Sequence, residues 1–209
     1  MIFGQSWTVE MHEKLLKCLN QIYPLTLKQQ EEICNLFEFQ DLPKDTILLK
    51  CGEICNHTHF IVEGAARSSY TKEGKEFVTW LGFEGEFVHS AHSFLLRVPS
   101  LESIILTSDS KLLSLSYANL QLLYEKDLIW NKVGRLLYEM HYITLQSRLN
   151  SHLFMSAAER YDQISVRHPN ILDRVKLVHL ASYLGMTPET LSRLRAKEGK
   201  RRRMNEKRH

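Results

Sequence analysis

Apolar positions in the first forty residues recur at helical steps. Leu15, Leu16, Leu19 and Ile22 share one helical face, and Thr26 stands where it can cap a second helix carrying Ile33, Leu36 and Phe37. From Phe37 to about Leu115 the pattern shortens into β-rich runs (FEF, TILL, HFIV, ARSSY, EFVTWLGF, ESIIL, KLLSL) separated by the turn-forming PKD, CGE, EG, KEG, EGE and SDS. Many short, closely spaced strands predict a sandwich or barrel. Helical spacing returns at Tyr117, first in a short helix and then in a proline-free segment from Asp127 to about Phe154. There Ile129, Val133, Leu136, Met140 and Ile143 alternate steps of four and three, the spacing of a coiled-coil seam, and Trp130, Leu137 and Leu145 form a second stripe. Two stripes call for two partners, the β-domain and a second copy of the chain; the alternative buries the whole helix within one monomer.

Beyond a helix at about 157–166 and a break at His168-Pro169-Asn170, one amphipathic stretch, Leu180 to Arg195, is interrupted by Gly185 and Pro188. Divided there it becomes two coherent helices. Lys176–Leu184 ends at Gly185, which supplies a left-handed turn, and Thr187 caps a helix beginning at Pro188, where the missing N–H costs nothing. Ala181 permits close crossing, and Leu184, Met186, Leu191 and Leu194 fill the angle, which predicts a helix-turn-helix. The second helix of such a motif enters the DNA major groove with its N-terminal residues towards the bases. The outward set is Thr187, Pro188, Glu189, Ser192, Arg193 and Arg195. Arg193 suits the paired acceptors of guanine and Glu189 the amino group of cytosine, whereas Thr187, Ser192 and Arg195 suit phosphates. The alternative is a purely structural helical hairpin.

Charge sharpens this expectation. The net charge is +3, yet residues 193–209 hold nine Lys/Arg against two Glu, a local +7 that leaves −4 on the remainder of the chain. A basic end on an acidic body points to a polyanion at that end, with the tail after Lys197 either adding non-specific DNA affinity or remaining a solvated end. At 209 residues and 44% hydrophobic content the chain can bury an ordinary core. Neither a membrane-length apolar run nor a secretory signal is present, so a cytoplasmic location is expected. Cys18, Cys34, Cys51 and Cys55 form no C-x-x-C pair and are expected to be reduced.

The order of helical start, β-roll, long helix and C-terminal helix-turn-helix resembles the CRP/FNR family of bacterial transcription regulators. The resemblance rests on Gly52-Glu53, the hairpin Phe60–Gly64, Gly74-Lys-Glu76, Gly85-Glu-Phe87 and the helix-turn-helix. It implies an α+β fold with a jelly-roll-like sensor domain at 1–126, a dimerisation helix at 127–154, and a DNA-binding domain with its basic tail at 155–209. It further implies a non-enzymatic homodimer on double-stranded DNA, with RNA polymerase and a small-molecule effector as further partners and no membrane attachment. Cyclic-nucleotide-binding members carry a Gly-Glu pair for the ribose and an Arg-Ser/Thr pair for the cyclic phosphate. His89-Ser90 and Pro99-Ser100 stand in those places, with Arg97 the nearest substitute cation, so cyclic AMP and cyclic GMP are not expected as cofactors. The family's wing of paired strands is not evident in residues 167–176, and the closely spaced cysteines of its iron–sulfur members are missing.

A competing class starts from His57, His59 and Glu63, which echo the two histidines and glutamate of a cupin metal site and fall on one face if the strand alternates regularly. Against it, Glu63-Gly64 reads as a hairpin turn, which lifts the carboxylate away from the barrel interior. A third class is a scaffold with a vestigial helix-turn-helix.

Overall fold

The computed structural model describes residues 3–206, with side chains from Glu10 to Lys197. In chain order the elements are α1 (Phe3–Ile22), α2 (Leu27–Cys34), β1 (Glu38–Leu42), β2 (Ile47–Leu49), β3 (His57–Glu63), β4 (Ala66–Lys72), β5 (Lys75–Gly82), β6 (Phe87–Val88), α3 (Ala91–Leu96), β7 (Ser103–Leu106) and β8 (Ser110–Ser116). They continue with α4 (Tyr117–Lys126), α5 (Leu128–Phe154), α6 (Ala157–Arg167), α7 (Ile171–Arg174), α8 (Leu177–Tyr183) and α9 (Pro188–Glu206). The chain divides into two compact units. One takes in the residues up to Tyr70 together with Trp80–Tyr142, and the other Thr71–Thr79 together with the residues from Ile143 onward.

Local chemistry sets the helix starts. Thr26 accepts from the Gln29 N–H at 3.4 Å while the Gln29 side chain accepts from the Thr26 N–H at 2.9 Å, a reciprocal cap as the spacing predicts. The strands form two antiparallel four-stranded sheets, ordered β1-β8-β3-β6 and β2-β7-β4-β5. β3 and β8 are buried on both faces. Phe60, Val62, Leu113 and Leu115 face a helical layer containing Met11, Leu15, Leu19, Leu123 and Trp130, whereas Ile61 and Leu112 join Leu49, Ile104 and Leu106 between the sheets. Each such side chain contributes about 1.5–3 kcal/mol by leaving water. This two-sided burial, rather than the clean alternation of a half-wet sheet, is why the HFIV and LLSL runs are continuously apolar.

The seam predicted along α5 needs correction. Ile129 and Val133 pack into the first unit's core beside Trp130 and Leu137, with Val133 only 4% exposed, so these two positions face their own chain. Leu136 is half-buried, and Met140 and Ile143 are exposed. Leu145, expected on the inward stripe, is also exposed; His141 and Arg148 are half-buried on that side instead. A second outward row of Tyr142, Leu145, Leu149 and Leu153 follows helical spacing.

In the second unit Tyr161, Ile164, Ile171, Val175, Leu180, Ala181, Leu184 and Leu191 are all buried. α7, a helical turn that the sequence pattern did not announce, lies in the stretch searched for a wing and anchors it through Ile171. α9 continues to Glu206, but the side chains of the basic tail after Lys197 lie outside those described, and so does the role expected of them.

The β3–β4 hairpin depends on Gly64, whose φ is 103°. A Cβ there would stand 2.7 Å from the Asp109 carbonyl oxygen and closer still to the Ser110 hydroxyl. Gly64→Ala is expected to cost roughly 1–3 kcal/mol, read as a lowered midpoint in urea denaturation with an unchanged slope; an unchanged midpoint contradicts this account.

Candidate functional site

In the second unit the start of α9 presents exposed polar side chains on a defined scaffold. α8 ends in a Schellman turn: Met186 N–H donates to Ala181 O at 3.0 Å and Gly185 N–H to Ser182 O at 3.1 Å, with Gly185 at φ 64°. Thr187 then accepts from the Thr190 N–H at 3.2 Å, the cap expected from its place before Pro188. Leu191 points into the core, which turns Thr187, Glu189, Ser192, Arg193 and Arg195 outward; Pro188 is half-buried. Arg193 Nε lies 3.4 Å from the Glu189 carbonyl oxygen. The Glu189 carboxylate is held below its ordinary pKa by its own backbone N–H first and the Thr187 hydroxyl second, so its proton affinity reflects the helix start.

In the first unit, the residues expected around an effector are taken up by contacts within the fold. His89 is half-buried: Thr58 Oγ1 lies 3.1 Å from its Nδ1 and the Tyr138 hydroxyl, on α5, 3.4 Å from its Nε2, with Phe94 against the ring. Ser90 and Ser100 are buried and share a hydrogen bond of 3.1 Å. Arg97 caps α3 in a left-handed conformation at φ 56°. Its guanidinium donates to the Cys55 carbonyl at 2.6 Å and to Asn56, and lies 4.0 Å over the Tyr117 ring. Arg97 thus stitches the loop before β3 to α4. Pro99 is exposed and forms an isolated bridge with Ile54.

The His57–His59–Glu63 arrangement does not converge. A register shift between Ile61 and Glu63 breaks the alternation, and the Glu63 carboxylate pairs with Lys111 at 2.9 Å and Lys14 at 3.4 Å. The rings of His57 and His59 are 6.0 Å apart, but His59 is buried with its Nδ1 2.6 Å from the Ser114 hydroxyl, whereas His57 is exposed. Among the described residues no three His, Cys, Asp or Glu side chains come together as metal ligands would.

Three residues around the α8–α9 turn carried no motif. Arg148 of α5 bonds to the Thr79 and Tyr183 carbonyls, Arg160 of α6 to those of Leu184 and Gly185, and Ser182 accepts from the Val78 N–H at 2.9 Å. The one available signal was Arg148 itself, a charged residue in phase with the inward Trp130 stripe.

Residues 39–127 match the cyclic nucleotide-binding domain family. Among solved structures the chain is similar to FixK2 from Bradyrhizobium japonicum, 17% identical with a TM-score of 0.65 over 79% of this chain and 85% of that one. It is also similar to a putative transcriptional regulator of the CRP/FNR family from Eubacterium rectale, 15% identical with a TM-score of 0.65 over 83% and 85%. The Thermus thermophilus catabolite activator protein is 19% identical, with a TM-score of 0.53 over 85% and 86%. At this identity the likeness is one of fold, a mixed arrangement of helices and antiparallel sheet. No curated protein matches the chain by sequence.

Burial lowers the pKa of His59 and of His89 from 6.5 to about 4, with neighbouring imidazoles adding to it. An unfolded chain takes up these protons as the pH falls through 6.5 while the folded one stays neutral to about 4. Their contribution is therefore complete above pH 6.5 and is lost on acidification. Each histidine is expected to remove on the order of 2 kcal/mol of stability between pH 7 and pH 5. Urea denaturation across that range checks it: His89→Asn should show a shallower decline than the wild type, and equal slopes contradict it.

Proposed function

We propose that the chain is a dimeric regulator of transcription, not an enzyme, that binds operator DNA with α8 and α9 acting as a helix-turn-helix. The observation that carries the reading is the capped start of α9: a helix whose N-terminal turn projects Thr187, Glu189, Ser192, Arg193 and Arg195 away from a buried Leu191. In the major groove the positive end of that helix attracts phosphate, and Arg193 can offer two donors to guanine. Thr187, Ser192 and Arg195 take phosphates, while the Glu189 carboxylate accepts from cytosine. Charge supports the same end of the chain, and the structural neighbours include a protein described as a transcriptional regulator.

Dimerisation falls to the outward apolar positions of α5. Met140 and Ile143 remain from the predicted seam, and Tyr142, Leu145, Leu149 and Leu153 join them. An apolar surface of that length on a helix is a surface for a partner, and a second copy gives the two-fold symmetry that a palindromic operator reads. No helix among the described residues is long and apolar enough to cross a membrane. DNA binding assigns the protein to the cytoplasm.

The matched domain is proposed not to take cyclic AMP or cyclic GMP. A cyclic phosphate leaving water needs a free cation or a cluster of donors. Arg97 is committed to the Cys55 carbonyl, Asn56 and Tyr117, and the His89 imidazole is neutral and bonded to Thr58 and Tyr138. Regulation then lies with another small molecule or with the amount of protein.

Selection of bound fragments from a random DNA pool is expected to return a palindromic consensus, which tests the function and the dimer together. Arg193→Ala should lose about 1–3 kcal/mol of discrimination at one base position in each half-site; unchanged base preferences remove Arg193 from the base-reading set. Isothermal titration with cyclic AMP and cyclic GMP is expected to show no saturable heat at micromolar ligand. Low-micromolar binding abolished by Arg97→Ala would show that this arginine had taken over the phosphate.

A further inference from the structure

Five consecutive backbone carbonyls, from Ala181 to Gly185, close α8 and lead into α9, and each has a donor. The carbonyls of Ala181 and Ser182 are met inside the turn by the N–H groups of Met186 and Gly185. Those of Tyr183, Leu184 and Gly185 are met from outside it, by two arginines on other helices. Arg160 donates Nε to Leu184 O at 2.8 Å and Nη2 to Gly185 O at 3.5 Å, while its Nη1 reaches Met155 O at 2.6 Å. Arg148 donates Nη2 to Tyr183 O at 3.4 Å and lies 4.2 Å over the Tyr183 ring. The His152 ring lies 3.0 Å from where a Cβ on Gly185 would stand, so the turn is enclosed as well as bonded.

Arg148, with His179 and Ser182 of α8, also takes hold of residues 76–79, in β5 just beyond the tip of the β4–β5 hairpin. Arg148 Nη1 donates to Thr79 O, and Val78 N–H donates to Ser182 Oγ, which itself lies 3.5 Å from Glu76 O. His179 Nδ1 lies 3.6 Å from the Glu76 carboxylate. His179 and Ser182 are three residues apart on one face of α8, which shares this contact with Arg148 of α5.

We infer that Arg148, Arg160 and Ser182 are positioning residues of the DNA-reading pair: the two guanidinium groups fix the direction in which α9 leaves its turn, and Ser182 with Arg148 makes residues 76–79 part of the same rigid assembly. The inference rests on the DNA-binding reading above. Arginine suits the task because a planar fork can serve several fixed carbonyls at once and stays charged beside the negative end of α8. A lysine supplies one compact ammonium group and cannot span them. The consequence for DNA is selective. A small tilt of α9 moves Arg193 off its base edge but leaves the basic surface near the phosphates, so specific affinity falls and non-specific affinity persists.

The test uses full-length Arg148→Lys, Arg160→Lys and Ser182→Ala proteins, the operator found by selection, and a random duplex of equal length. Amide exchange is followed in parallel on the DNA-free protein. The ratio of operator to random-duplex affinity is expected to fall about tenfold in the lysine variants, the loss of one bidentate base contact, with random-duplex affinity nearly unchanged. Exchange should quicken at Gly185 and Met186 in those variants and at Val78 in Ser182→Ala. Ser182→Ala removes a single hydroxyl and carries the test if a lysine variant fails to fold. An unaltered ratio with unaltered exchange overturns the inference, and so does an equal loss on both duplexes, which marks a folding defect. If the wild type selects no sequence at all, the DNA-reading premise fails, and the exchange result alone decides whether the arginines hold the turn.

Discussion

Most polar groups removed from water find a partner inside a protein, and in both compact units the buried groups described above do so, although Trp80 Nε1 and Arg148 Nε are buried without one. In the second unit the groups are carbonyls at a helix end, where a tight turn supplies some N–H donors and distant arginines supply the rest. In the first they are imidazoles and hydroxyls between strands and helices: Thr58 with His89 and Tyr138, and His59 with Ser114, which in turn donates to Gln40 at 3.0 Å. One rule thus has two results. It shapes a surface in one unit and closes an interior in the other, because half-satisfied polar networks are costly where the dielectric is low.

Features decided by a few neighbouring residues were legible in the sequence. Thr26 with Gln29, Gly185 at the end of α8 and Thr187 before Pro188 each act within about one turn of helix, so residue type and spacing are enough to place them. What periodicity could not supply was the identity of the neighbour. Ile129 and Val133 are in phase with Met140, yet the body of the first unit covers only the early part of α5, so one predicted stripe splits between an inward and an outward fate. Leu145 failed for the converse reason. The inward face continues through His141, stacked on Trp80 at 4.9 Å, and Arg148, neither of which counts in a hydrophobic pattern. Arg148 lies about five helical turns beyond Trp130, and its charge at an inward position was the overlooked sign.

The stretch from His89 to Ser100 shows the same division. Its residue types and the scarcity of charge among them are legible in the sequence, but not that Arg97 sits in a left-handed cap with its guanidinium on Tyr117 and the Cys55 carbonyl, because that depends on a loop forty residues away in sequence. A common fold leaves such details free: strands can keep their order while the side chains between them differ in what they contact.

The outward row on α5 has a consequence for how the protein behaves as a solute. Leu149 is 58% exposed and Leu153 65% exposed in the single chain, with Phe154 following them. Whatever covers these side chains binds the folded chain and not the unfolded one, so its concentration enters the folding equilibrium by mass action. With a second copy as the covering partner, the melting temperature rises with protein concentration. Dilution then exposes leucines that favour aggregation, and chaperones and proteases encounter the newly made chain before its partner does. The amount of folded protein in a cell would therefore rise more steeply than the amount synthesised, a non-linearity set by a helix surface rather than by any ligand.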